Sequence, residues 1–429
     1  MKKNFRWVLA VLMFLITFMS YMDRVNLSVA TPEIMREFNF TKMDIGFFQT
    51  VFFMGYAAMQ VPGGILAEYF RHRIVVVAAV TWWSVFTALT AAASTFSQWV
   101  IVRGAFGLGE GPVYPALSTF IARWFNPAEK GKASSIMLSG AFVGPVFGPA
   151  ATVALMLAFG WRSVFVIFGV AGLLIAVAWM IFAKNSPKES PYVSAEELKY
   201  IDEGRNAAEE DKKELAPWKS FITSTQFWAI GIQYFIVDYI MYVYLAWLPL
   251  YLMEAQNFSL AKMGIAASFP WAALCIVTLS VGAFSDRLVA AGASKAKARS
   301  YLGITGLVLC SLFLYLGAIA TNPTLNVFLL TLSLGSLGLA FPASWSACID
   351  LGGKFSGSVS GWMNFWGNIG GVIAPLLTAW IATNYGWQAA IIVTAVSAVI
   401  GIIAWLFVKP DIPLKRGEAK PNGAPSTCL

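Results

Sequence analysis

Apolar stretches of about 20 residues follow one another along this chain from Trp7 to Val408, separated by short polar segments. In lipid, every backbone N–H and C=O must be satisfied within the spanning segment or around a closed barrel. No ten-residue alternation of apolar and polar side chains suggests a barrel, so the stretches are read as helices. The composition agrees: 58% of the residues are hydrophobic and 12% charged, against about a quarter charged in a soluble domain. The expected fold class is an all-α membrane protein with twelve transmembrane helices, near 7–30, 47–67, 74–94, 98–121, 133–157, 162–183, 226–252, 263–284, 300–320, 325–349, 357–381 and 387–408.

Lys and Arg set the expected orientation. They collect on the side of the termini: Lys2, Lys3, Arg6, Arg71, Arg73, Arg123, Lys130 and Lys132, then Arg287, Lys295, Lys297, Arg299, Lys354 and Lys409 onward. The opposite side has only Arg36, Lys42, Arg162 and Lys262. By the positive-inside rule both termini are cytoplasmic, and the formal charge of +8 is explained by topology anchors without nucleic acid. The first apolar run is too long for a signal peptide, carries Asp23 and Arg24, and lacks a small-residue cleavage site. It is therefore an uncleaved helix. Cys275, Cys310, Cys348 and Cys428 have neither metal-ligand nor disulfide-framework spacing. Short loops point to a bacterial inner membrane.

Residues 184–225 are rich in charge and read as a solvated cytoplasmic linker, with a capping box at Ser194-Ala195-Glu196-Glu197 opening a short surface helix. The linker separates a bundle at 1–183 from a second at 226–408, and 409–429 form a cytoplasmic tail. The bundles are repeats. A shift of 226 residues places Met137 on Met363, Gly144 on Gly370, Pro149 on Pro375, Gly160 on Gly386 and Trp161 on Trp387. Gly64-Ile65-Leu66-Ala67-Glu68 is echoed by Gly282-Ala283-Phe284-Ser285-Asp286-Arg287. Each pair is six helices apart, so the repeats are parallel, related by an axis along the membrane normal, with a site expected between them.

Ionisable residues inside spans mark a transport path. Asp23 lies roughly 24 Å up the first helix and Arg103 about 8 Å down the fourth, nearly the same level in a core of about 30 Å. Glu110, seven residues after Arg103, sits on the same face about 10 Å deeper. A planar guanidinium grips a carboxylate in bidentate fashion, so Arg24 is the expected anion anchor. Burial and Arg103 act oppositely on a carboxyl group, so Asp23 and Glu110 are the proton-coupling candidates, with Asp23 favoured as the neighbour of Arg24. Tyr21 and Tyr56 offer phenol donors at this depth. Gln233, Trp345 and Asn364 offer neutral polar contacts from the second half, and Asn368 is expected to pack within its glycine-rich run. Asp238 is an additional buried acid. Gly140-x3-Gly144-Pro145 reads as close helix packing with a proline kink. His72, the one histidine, falls in a cytoplasmic loop.

Gly64 to Glu68 with Arg71-His72-Arg73 resembles the signature loop of the major facilitator superfamily, although Glu68 and Tyr69 stand where that family has Asp then Arg. Tyr21-Met22-Asp23-Arg24-Val25-Asn26-Leu27 together with Arg103-x6-Glu110-Gly111-Pro112 narrows the resemblance to its anion:cation symporter family. The resemblance implies alternating access, gating at Glu68, Asp286 and Arg287, and proton-coupled symport of a small organic anion such as an aldonate, hexuronate or aldarate. Neither cofactor nor metal is implied, and a monomer is expected. The helix-five glycines raise a second possibility, a proton-coupled exporter of drugs or metabolites. A phosphate-ester exchanger would favour cations from both halves, yet the seventh helix has none. A membrane enzyme would need a nucleophile–base pair or metal ligands within the bundle.

Overall fold

The computed structural model describes residues 4–203 and 216–414, without side-chain placement for Glu68, Ala283, Asp286 and Lys354. Cys428, most of the tail from 415, and the gating side chains of Glu68 and Asp286 therefore lie outside the described residues. The first half contains α1 (Phe5–Phe38), α2 (Lys42–Tyr69), α3 (His72–Thr90), α4 (Phe96–Glu110), α5 (Val113–Trp124), α6 (Lys130–Phe159) and α7 (Trp161–Phe182). Two short helices follow, α8 (Ala195–Asp202) and α9 (Trp218–Ile222). The second half contains α10 (Thr225–Glu254), α11 (Leu260–Ala266), α12 (Ser268–Ala290), α13 (Tyr301–Ile319), α14 (Pro323–Leu337), α15 (Ala340–Gly352) and α16 (Ser356–Phe407).

Ten segments among the described residues are long and apolar enough to cross a membrane. Two features bring this to twelve. The segment Ser356–Phe407 passes through Gly386 at φ 84°, ψ 168°, which breaks it into two spans. The expected span 98–121 is α4 followed by α5, neither long enough alone. It breaks at Gly111-Pro112, where proline lacks a donor and crowds the preceding turn. Glu110 thereby becomes the last residue of α4.

The repeat extends to backbone and side chains. Gly160 has φ 82°, ψ 164°, matching Gly386, a left-handed φ that glycine adopts without steric cost. The next residue in each copy, Trp161 or Trp387, donates its indole N–H to a glutamate at the end of its half's first long helix: Glu37 at 2.8 Å and Glu254 at 2.7 Å. These contacts lie at the far end of the bundle, opposite the N-terminus. Lys42 of the first half reaches Glu254 at 2.8 Å and stands over Trp387, joining the halves there. Further contacts between halves continue inward: Thr50 donates to the Val372 carbonyl at 2.8 Å, the Phe53 ring meets Tyr242 at 4.4 Å, and Gln60 accepts from Asn364 and Asn368, each at 3.3 Å.

Glycines govern the close crossings. A Cβ on Gly140 would collide with Thr17 and the Phe14 carbonyl, and one on Gly144 would lie 2.7 Å from the Phe18 carbonyl and 3.0 Å from Tyr21 Cβ. The helix-five pattern thus seats α6 on α1 and fixes the height of Tyr21.

Two expectations are corrected. His72 is not in a loop: it opens α3, fully buried, with its ring against Phe120. The described start of the linker is docked rather than solvated. Ser194 caps α8 as expected, accepting from Glu197 N at 3.2 Å, but the Glu197 carboxylate does not complete the capping box. It accepts from the Phe5 and Arg6 backbone N–H groups, each at 3.1 Å, and from Arg6 Nη1 at 2.9 Å. An anion is favourable at the positive end of a helix, and this one secures the start of α1. Glu197→Ala is expected to cost about 2 kcal/mol, read as a lower melting temperature in detergent; an unchanged melt would show that the docking contributes no stability.

Candidate functional site

Ser20, Tyr21 and Arg24 share one face of α1, since residues three and four apart are neighbours on a helix. The Arg24 guanidinium lies over the Tyr21 and Tyr56 rings, each centroid at 4.6 Å, and 5.2 Å from Phe52. Its Nε donates to both oxygens of Glu110, at 3.1 and 3.3 Å, and Ser20 donates to the same carboxylate. Arg24 is 5% exposed and Glu110 fully buried. A buried pair needs further hydrogen bonds to offset desolvation, and Ser20 supplies one. The remaining feature is an opening: Arg24 Nη2 is buried without a hydrogen-bond partner.

The short approach of α2 to α4 sets this geometry. Gly55 lies under the Gly104 carbonyl, Gly107 meets the Phe52 carbonyl, and a Cβ on Gly111 would stand 2.6 Å from the Tyr56 carbonyl. Small residues let backbones approach, so Tyr56 and Glu110 reach Arg24 from adjacent helices.

Asp23 faces elsewhere. One residue along a helix is a turn of about 100°, and Asp23 is directed away from Arg24. Its Oδ1 accepts from Asn26 Nδ2 at 3.3 Å and its Oδ2 is buried without a partner. The Arg103 guanidinium rests on the rings of Phe106 at 4.6 Å and Phe52 at 5.2 Å. Asp23 and Arg103 are within electrostatic reach without an ion pair between them among the described residues. Arg24 thus pairs directly with Glu110 and not with its chain neighbour Asp23.

From the second half, Tyr234, Asp238 and Tyr242 occupy one face of α10 at four-residue spacing, the periodicity of a helix face. The Tyr234 ring and Asp238 Oδ2 fill the space left by Gly367. Trp345, 41% exposed, donates to Tyr234 Oη at 3.1 Å. Asn364 and Asn368 bind Gln60, one turn beyond Tyr56, so Asn368 does more than pack within its run. Gln233 has another role: fully buried, it accepts from Ser344 Oγ at 3.1 Å and donates to the Ile230 carbonyl at 3.0 Å. It ties α10 to α15. Arg287 is exposed near the end of α12. Ser20, Phe52, Gln60, Tyr234 and Tyr242 were not singled out by the sequence; the four-residue spacing of Tyr234, Asp238 and Tyr242 was the available signal.

The sequence profile of the Major Facilitator Superfamily matches residues 13–375 and 356–427. The chloroplastic ascorbate transporter of Arabidopsis thaliana is 30% identical over 93% of this chain and 74% of its own length. A protein named as probable galactarate/D-glucarate transporter GarP of Escherichia coli is 30% identical over 96% of each chain. The crystal structure of a bacterial homologue of the human lysosomal transporter Spinster has the same fold, with TM-score 0.81 over 96% of this chain and 99% of that one at 16% identity. The chain belongs to the Major Facilitator Superfamily of membrane transporters, and within it to the anion:cation symporter family.

Proposed function

We propose that the protein is a secondary active transporter that carries a small organic anion, a sugar acid, together with protons by alternating access. The observation that carries this reading is the buried Arg24–Glu110 pair with Arg24 Nη2 unpartnered. An incoming carboxylate takes the guanidinium in bidentate fashion and displaces Glu110. The displaced carboxylate is then buried without its counter-charge, which is costly in low dielectric, and a proton offsets the cost. Substrate binding and proton binding thereby favour each other. Asp23, facing Arg103, is a second proton site in the same scheme. The hydroxyl-bearing acids named for the ascorbate and galactarate/D-glucarate relatives suit the tyrosines and amides around Arg24.

The two halves, 1–183 and 226–408, rock about this site, with 184–225 as the linker and 409–429 as the tail. Opening of the far end requires breaking Lys42–Glu254 and the Thr50 contact. Both termini are cytoplasmic, the membrane is a bacterial inner membrane, and one chain suffices. Glu68, Asp286 and Arg287 gate the cytoplasmic end. The glycine pattern that would favour an exporter is taken up by packing of α6 on α1.

Purified protein in liposomes is expected to accumulate a sugar acid when an inward proton gradient is imposed, across a panel of aldonates, hexuronates and aldarates. Equal uptake driven by a sodium gradient at fixed pH would overturn the proton coupling, and the absence of uptake of every acid would overturn the substrate class.

A further inference from the structure

We propose that the Lys42–Glu254 ion pair is a clasp that keeps the halves of the empty transporter together at the far end. It forms because Gln388 stands where the first half has the cation that neutralises the matching glutamate. The inference rests on the reading that the two halves rock, and its test needs no substrate.

Both halves carry the same corner. A left-handed glycine, Gly160 or Gly386, precedes Trp161 or Trp387, and each indole N–H donates to a glutamate at the end of a long helix, Glu37 of α1 or Glu254 of α10. A carboxylate there lies at the negative end of its own helix, where a cation beside it is favourable. In the first half that cation is the residue after the tryptophan. Arg162 donates from Nη1 to Glu37 Oε2 at 2.9 Å and from Nη2 to Oε1 at 2.5 Å, and its guanidinium lies 4.4 Å from the Trp161 ring.

The second corner lacks this cation. The shift of 226 residues that places Trp161 on Trp387 places Arg162 on Gln388, which is exposed and uncharged. Glu254 takes its cation from the other half instead: Lys42 Nζ lies 2.8 Å from Glu254 Oε2 and 5.3 Å from the Trp387 ring. The exchange is not returned. Lys42 is the first residue of α2, after the capping Thr41, and the residue in the same place of α11, after the capping Ser259, is Leu260. Lys262, two residues on, stands over its own Phe258 ring at 4.1 Å. An arrangement that closes on itself in the first half therefore reaches across in the second. The side chains of Lys42 and Glu254 are 22% and 36% exposed. A pair so placed biases a two-state equilibrium several-fold without locking it, as a gate that opens in every cycle requires.

The test restores the missing cation. Gln388→Arg is expected to grip Glu254 in the bidentate manner of Arg162 on Glu37, to repel Lys42 and so to release the clasp. Spin labels at Arg36→Cys of the first half and Thr383→Cys of the second, both exposed near the far end, report the separation of the halves by pulsed electron paramagnetic resonance. Cys428→Ser removes the tail thiol; Cys275, Cys310 and Cys348 are buried. The ratio of open to closed populations is expected to rise about fivefold in Gln388→Arg, Lys42→Gln and Glu254→Gln alike. Gln388→Arg added to Glu254→Gln is expected to change nothing further. A ratio unchanged in Lys42→Gln would overturn the clasp. A shift in Lys42→Gln without one in Gln388→Arg, or a Gln388→Arg shift that persists in Glu254→Gln, would overturn the role given to Gln388. A single population in every variant, with or without a sugar acid, would contradict the rocking of the halves, and this proposal would fall with it.

Discussion

Arg24→Lys is expected to weaken substrate binding by about 100-fold, equivalent to about 2.7 kcal/mol, although the charge is kept. The guanidinium performs three tasks at once. Its Nε binds Glu110, its face rests on Tyr21 and Tyr56, and Nη2 remains free. An ammonium is a compact point charge without a planar fork, so it cannot hold Glu110 and present a second bidentate edge together. The variant should still assemble, since the Tyr21, Phe52 and Tyr56 cage is apolar on most of its surface and a lysine stem fits along it. The measurement is substrate affinity by calorimetry or by protection against thermal unfolding. Affinity within threefold of the unaltered protein would remove Arg24 as anchor.

Glu110→Gln is expected to separate binding from coupling. Glutamine imitates the protonated acid, keeps an acceptor for Ser20, and releases Arg24 from a competing carboxylate. Substrate should bind at least as tightly. The pH dependence of affinity should flatten. In the unaltered protein affinity rises as pH falls, because the bound state takes up a proton that the free state does not hold. With Glu110 unable to load and release a proton, concentrative uptake driven by a proton gradient should fall by more than about 10-fold, while exchange of labelled for unlabelled substrate continues. Asp23→Asn should lose accumulation as well but keep the pH dependence of affinity, since Asp23 does not touch Arg24. If Asp23→Asn flattens that dependence and Glu110→Gln does not, the two acids have the reverse roles.

The division between legible and illegible features follows from what a linear pattern contains. Spans are readable because twenty apolar residues in lipid leave one backbone solution. The repeat is readable because Gly160 and Gly386 must adopt the same left-handed conformation. Axial depth is also readable, since rise per residue is fixed, and it brought Asp23, Arg24, Arg103 and Glu110 into one region. Rotation about each helix axis is not. Asp23 and Arg24 share a depth but point about 100° apart, so their adjacency suggested a partnership that the fold does not make. Glu110 lies deeper than Arg103 and for that reason reaches Ser20 and Arg24. The Gln60–Asn368 contact was not legible because it joins residues some three hundred positions apart. Gln233 looked like a cavity residue until Ser344 was placed beside it. The Glu197 contact with α1 was hidden for a related reason: a charged run reads as solvated until a helix terminus is found against it.

The central claim is that a substrate carboxylate replaces Glu110 on Arg24 and that Glu110 then takes up a proton. Proton uptake on binding tests this without membranes or gradients. Purified protein in weakly buffered detergent solution at neutral pH is mixed with a saturating sugar acid identified by the uptake screen, and the pH change is followed with an indicator dye. The account predicts uptake of about one proton per protein on binding, and close to none in Glu110→Gln under the same conditions. Binding without proton uptake in the unaltered protein, or the same uptake in Glu110→Gln, would contradict it.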